Sequence, residues 1–107
     1  MVYAYVQDVP IDTETYRRIT DELGPEPLAG SLLHLCVRRE DGGLRYIDVW
    51  ESVQDCARAF DERVHPAVDK ALDRATTGEP TVQRLDVVHA SGALLGADRW
   101  PTDRSTG

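Results

Sequence analysis

The chain has no asparagine, one lysine (Lys70), one phenylalanine (Phe60) and two cysteines, Cys36 and Cys56. Two cysteines cannot build the disulfide framework of a small secreted domain. They fall in a predicted strand and a predicted helix, where small buried hydrophobes belong. Positive charge is also scarce: 12 basic against 19 acidic residues leave a formal net charge of −7. Phosphate backbones and anionic lipid surfaces attract basic proteins, so neither nucleic acid nor membrane is an expected partner. No apolar run approaches the roughly 20 residues a bilayer requires. The opening "MVYAYVQDVP" lacks the basic start and apolar core of a secretory signal. The expectation is a soluble, cytoplasmic protein. Its 107 residues suit one domain with a modest core, for which any second buried surface needs a partner. His34, His65 and His89 have no metal-ligand spacing with Asp48 or Asp69, and no nucleophile motif or phosphate-binding glycine loop is present.

What is present reads as short alternating and helical segments. Val2 to Asp8 alternates and is rich in Val and Tyr, as a strand is. After Pro10, Asp12 is a candidate N-cap, Glu14 suits the positive end of a helix dipole, and Tyr16, Ile19 and Leu23 recur at helical spacing until Gly24-Pro25. Ser31 to Arg39 and Leu44 to Trp50 are two more strands, joined through "EDGG", a hairpin signal. The pattern favours a three-residue turn with Glu40 opposite Leu44. That register pairs Leu35 with Val49 and Val37 with Ile47 on one side, and His34 with Trp50, Cys36 with Asp48 and Arg38 with Tyr46 on the other. Ser52 and Asp55 resemble a capping box, and Val53, Ala57, Phe60 and Val64 continue one apolar stripe. Pro66 is expected to interrupt this helix after His65, with a second apolar face over Ala67 to Ala75. "TTGEP" reads as a loop and Thr81 to His89 as a last strand. Residues 1–90 form the expected domain. Residues 91–107 read as a surface tail, mobile near its end, in which Trp100 can dock on a partner subunit.

The order is β-α-β-β-α-β, the α+β ferredoxin-like arrangement with a four-stranded antiparallel sheet. One sheet face is aliphatic: Ala4, Val6, Leu33, Leu35, Val37, Ile47, Val49, Leu85, Val87. The other mixes Tyr3, Tyr5, Leu32, His34, Cys36, Tyr46, Trp50 and Val88 with Arg38, Asp48, Arg84 and Asp86. Two short helices cover only one face, and an exposed second one would be a larger apolar patch than monomers tolerate. Sheet-against-sheet homodimerisation is therefore expected, burying on the order of 800 Å² per partner.

Three stretches, "GSLLH" (30–34), "DGGLRYIDVWES" (41–52) and "AFDERVHPAV" (59–68), carry a resemblance. Across about residues 2–89 the chain resembles the dimeric α+β barrel superfamily, and within it the antibiotic-biosynthesis-monooxygenase-like proteins. Small uncharacterised actinobacterial members look similar throughout, and the arginine-rich, asparagine-free composition fits a GC-rich genome. The resemblance implies a dimeric barrel. It leaves activity open among oxygenases, haem-degrading enzymes, isomerases, dehalogenating enzymes and proteins without known chemistry. The haem-degrading members use an Asn, a Trp and a His; here Asn is missing and Ala59 stands where their tryptophan would fall. Cofactor-free oxygenases of polyketide phenols commonly use Asn and Trp with Tyr, Arg or His nearby. Trp50, Tyr5, His34 and Arg38 supply all of these but the Asn.

The candidate site is on the mixed face. His34 is the expected acid or base and Asp48 its orienting partner. Trp50, Tyr46, Arg38 and Tyr5 are the expected ligand contacts, with His65 beside Pro66 pointing into a helix–sheet cleft. A structural account competes: the same face is a dimer interface in which Asp48, Arg38, Arg84 and Asp86 satisfy one another. The functional expectation is a homodimer that transforms a hydrophobic, polyketide-like metabolite without cofactor. The reaction is acid–base cyclisation or isomerisation, or cofactor-free oxygenation of a phenol. The alternative is a non-catalytic dimer module that binds a ligand or a partner protein.

Overall fold

The alternating and helical segments fold in the order their side-chain periods demand. The computed structural model describes residues 2–72 and 81–92. Strand β1 (Tyr3–Val9) is followed by α1 (Thr13–Leu23), β2 (Ser31–Arg38) and β3 (Leu44–Trp50). A second helical rod then comprises α2 (Val53–Ala59), a π-helical turn (Phe60–Val64) and α3 (His65–Leu72), before β4 (Val82–Leu85). The sheet order is β2-β3-β1-β4, with every neighbouring pair antiparallel. The fold is α+β and ferredoxin-like. The expected "TTGEP" loop, the end of the second rod, the tail from residue 93 and the docking of Trp100 lie outside the described residues.

Both helix starts are capped as their residues predict. Asp12 Oδ1 accepts the Thr15 N–H at 2.7 Å, and Ser52 Oγ accepts the Asp55 N–H at 3.0 Å. Gly30, just before β2, has φ +86°, and a Cβ there would lie 2.5 Å from the Asp55 side chain. Only glycine lets the chain pass the start of α2 at this point. Its carbonyl accepts the Glu51 N–H at 2.8 Å and so ties the entry of β2 to the exit of β3.

Four local expectations are corrected. The β2–β3 turn sits one residue earlier than expected: the last strand pair is Arg38 with Leu44, Arg39 N–H donates to the Gly43 carbonyl at 2.8 Å and the Arg39 carbonyl accepts the Gly42 N–H at 3.0 Å, so that residues 40–42 make the turn. Asp41 Oδ1 accepts the Gly43 N–H at 2.9 Å, which stabilises the turn at this place. The register therefore moves by two, pairing His34 with Asp48, Cys36 with Tyr46 and Leu35 with Ile47. A two-residue slip keeps every side chain on its face. Second, Pro66 does not break the helix. It has no N–H and its ring crowds the carbonyl four residues earlier. The widened turn just upstream, where His65 N–H reaches the Phe60 carbonyl, accommodates both defects. Third, β4 is shorter than Thr81 to His89, because Leu85 already pairs with Ala4 and β1 begins at Tyr3. Beyond that point there is almost no strand left to pair with.

The fourth correction concerns the layers. The helices cover the mixed face and leave the aliphatic one open. Tyr5, Trp50, Cys56 and Ala59 form a buried cluster, with Tyr3, Leu28 and Phe60 packed around it. The Trp50 indole N–H reaches the Tyr5 hydroxyl at 3.4 Å, and that hydroxyl lies 3.9 Å from Cys56 Sγ, so the polar tips of the two buried aromatics are partnered. On the outer face Leu35 and Leu85 are exposed, and Val6, Leu33, Val37, Ile47 and Val49 are half-buried. One corner of that face is charged. Arg45 bonds Asp8 at 2.6 and 3.2 Å, Arg39 pairs with it at 2.8 Å, and the Arg45 hydrogen bonds hold the Asp8 carboxyl down at about 2.

Candidate active site

Between the helices and the sheet lies a cavity of about 660 Å³. Its floor is the mixed face: Tyr5 and Gln7 from β1, His34 from β2, and Tyr46, Asp48 and Trp50 from β3. Helix α1 roofs it with Thr15, Tyr16, Ile19 and Leu23, a helical stripe. Phe60, Val64, His65, Val68 and Leu72 close the far side from the second rod. No arginine or lysine is among the described residues that line it.

Asp48, His34 and Tyr16 form a chain of hydrogen bonds. Strand register places His34 beside Asp48 and Asp48 beside Tyr5. Asp48 is buried, and its Oδ1 makes a short hydrogen bond with His34 Nδ1. The other imidazole nitrogen, Nε2, lies 2.7 Å from the Tyr16 hydroxyl. Tyr46 packs against both rings, 5.2 Å from His34 and 5.7 Å from Tyr16 between centroids. The His34 side chain keeps 40% of its exposure, so it sits where the cavity meets solvent, while that of Asp48 keeps 5%.

Electrostatics keep the tyrosines protonated. Burial, then the Asp48 charge, pushes the Tyr5 phenol far above its ordinary range. Burial raises Tyr46 as well, followed by Cys36, Tyr16 and Asp48. Tyr16 is raised by burial first, then by Cys36 and Asp48. At neutral pH the site thus presents phenol hydroxyls, which donate and accept hydrogen bonds. The Cys36 thiol is raised too, by burial and then Asp48, so it is a poor nucleophile.

Six of the seven residues picked out from sequence line this cavity: His34, Asp48, Trp50, Tyr46, Tyr5 and His65. His65 stands edge-on to Phe60 at 5.6 Å. Arg38 is not among the lining residues. Its guanidinium donates to Thr13 Oγ1 at 2.9 Å and ties β2 to the start of α1. The interface account of the mixed face is overturned, because the chain's own helices occupy that side. Its proposed charge partners are also apart: Asp48 meets His34, and Arg84 lies over the Tyr3 ring at 5.1 Å. Sequence reasoning missed Tyr16 as a site residue. Its helical spacing marked it as core, and only the position of α1 over β2 puts its hydroxyl on His34.

No family model matches the chain, and no curated protein matches it in sequence. Among solved structures, the chain is similar to a crystal structure described as "putative Antibiotic biosynthesis monooxygenase from Chloroflexus aurantiacus J-10-fl". The TM-score is 0.57 and the identity 14%, over 86% of this chain and 98% of that one. At that identity the likeness shows a common fold.

Proposed function

We propose that the chain binds an uncharged, hydrophobic aromatic metabolite of the polyketide-phenol kind in the helix–sheet cavity and transforms it without cofactor by proton transfer. The observation that carries this reading is the His34–Asp48 pair in a cavity whose lining is mostly aliphatic and aromatic and includes no lysine or arginine among the described residues. A buried carboxylate fixes the imidazole tautomer and balances the charge of an imidazolium, as an acid–base group requires. Trp50, Tyr46, Tyr5 and His65 supply flat contacts for an aromatic ligand. Cyclisation or isomerisation uses the pair directly. Cofactor-free oxygenation, suggested by the description of the similar crystal structure, starts from the same deprotonated phenol and uses O₂ as co-substrate.

The reading includes a second copy of the chain. The open aliphatic face, with Leu35 at 44% exposure and Leu33, Val37, Ile47 and Val49 beside it, suits sheet-to-sheet pairing. Sedimentation should find a dimer that Leu35→Asp converts to monomer; a monomeric parent refutes this part. For the site, calorimetric titration with 2-naphthol should show binding. Incubation with polyphenolic aromatic substrates should give a product by mass or consume O₂. The variant His34→Gln should bind and not turn over. If no phenol binds, or His34→Gln turns over like the parent, the proposed function is wrong.

A further inference from the structure

We infer that Tyr16, rather than His34, meets the ligand, and that a proton leaves a ligand hydroxyl through Tyr16 to His34, backed by Asp48. The inference rests on the proposed function and names its ligand class more narrowly: a molecule carrying an ionisable hydroxyl, a phenol or an enol.

An imidazole has two nitrogens, and both of His34's are engaged. His34 Nδ1 is engaged by Asp48, and Nε2 lies 2.7 Å from the Tyr16 hydroxyl. An ionised carboxylate only accepts, so Nδ1 carries the hydrogen in the neutral ring and Nε2 is the acceptor. Tyr16 must then donate into Nε2. No nitrogen of His34 is left for a ligand. Tyr16 lines the cavity, and its oxygen still has a lone pair to accept a hydrogen bond.

The geometry is held from several sides. The Tyr16 and His34 rings lie nearly parallel, 16° apart with centroids 6.1 Å from each other, and Tyr46 braces both. Helix α1 is anchored one turn away by the Asp12 cap and by Arg38 on Thr13. Burial of Tyr16 favours its neutral form, so the resting site holds a proton on the phenol, ready to move.

The step balances as a relay. The ligand O–H bond breaks and its proton goes to the Tyr16 oxygen. The Tyr16 O–H bond breaks in turn and its proton goes to His34 Nε2. The result is a ligand phenolate or enolate, a neutral Tyr16 and an imidazolium beside the Asp48 carboxylate. No net charge is created, and running the relay backwards returns the proton to the product.

The test uses 4-nitrophenol, whose ionised form absorbs in the visible, at a pH below its own pKa. The parent should bind it and raise the nitrophenolate band. Tyr16→Phe keeps the ring and should bind the probe by calorimetry, while the band falls to that of free probe; His34→Gln should lose it as well. If Tyr16→Phe keeps the band and His34→Gln loses it, His34 meets the ligand itself; the relay is then wrong and the proposed function stands. If the parent does not bind the probe, both fail. A ligand-free measurement guards against misfolded variants. ¹⁵N shifts of the parent should show His34 as the Nδ1–H tautomer, and an Nε2–H tautomer overturns the relay.

Discussion

The sharpest consequence of the cavity is its preference for uncharged ligands, and Asp48 sets the size of that preference. Its carboxylate is buried in the floor, Asp12 at the start of α1 adds a second carboxylate to the lining of both proteins compared below, and no lysine or arginine among the described lining residues offsets them. Consider 2-naphthol and 2-naphthoate, alike in shape but differing by one negative charge. A ligand carboxylate held about 6 Å from Asp48, at an effective dielectric of about 20, is repelled by about 2.8 kcal/mol. That is about 100-fold in dissociation constant, before the cost of desolvating the ligand charge. The variant Asp48→Asn keeps an acceptor for His34 and removes the charge, so the gap should close to about tenfold or less. Calorimetric titration of both ligands against both proteins at one fixed pH measures it. Equal affinity of the parent for the two ligands would refute the reasoning, as would a gap that Asp48→Asn leaves unchanged. In either case the carboxylate does not face the ligand.

Other consequences concern the frame that holds the site. Tyr5→Phe leaves the buried Trp50 N–H without its acceptor and should cost about 1–3 kcal/mol; a thermal melt indistinguishable from the parent's would show that the 3.4 Å contact contributes nothing. Arg63 donates to the carbonyls of Leu23, Glu26 and Pro27 at 2.9, 3.0 and 2.8 Å, so it closes the C-terminal end of α1 and the loop beyond. Arg63→Leu should cost about 1.5–3 kcal/mol by urea unfolding and loosen the roof at Leu23 and Leu28. Asp8 titrates lower in the folded chain than its ordinary value, so its contribution is present above the unfolded pKa and disappears as pH falls through about 2. Asp8→Asn should therefore flatten the loss of stability between about pH 4 and pH 2, seen as a smaller fall in melting temperature than the parent shows.

Much of this was legible in the chain, because the governing interactions are local. Alternation in Tyr3–Val9 and Leu44–Trp50 identifies the strands and sorts their side chains into two sets. Asp12 and Ser52 mark helix starts because each accepts a backbone N–H three residues on. Asp48, Tyr46 and Trp50 share a face through period-two geometry alone, and His34 joins them because the change of register is by two residues, which leaves the sets intact where a slip by one would not. The place of the turn was not legible, because Asp41 and Arg39 stabilise it one residue earlier through contacts that no spacing rule weighs. Nor was the π-helical turn, in which the helix absorbs Pro66 by widening.

The sequence alone determined the element order, the two sets of strand side chains and the grouping of His34 with Asp48. Only the tertiary structure decided which set the helices cover. Alternation says that two faces differ but not which lies beneath a helix; the handedness of the crossovers between parallel strands decides that. With the helices over the mixed face, the aromatics and the Asp48–His34 pair became the floor of a cavity and the aliphatic set became the outside. The same placement brought Tyr16, one more apolar-stripe residue by its spacing, to within a hydrogen bond of His34.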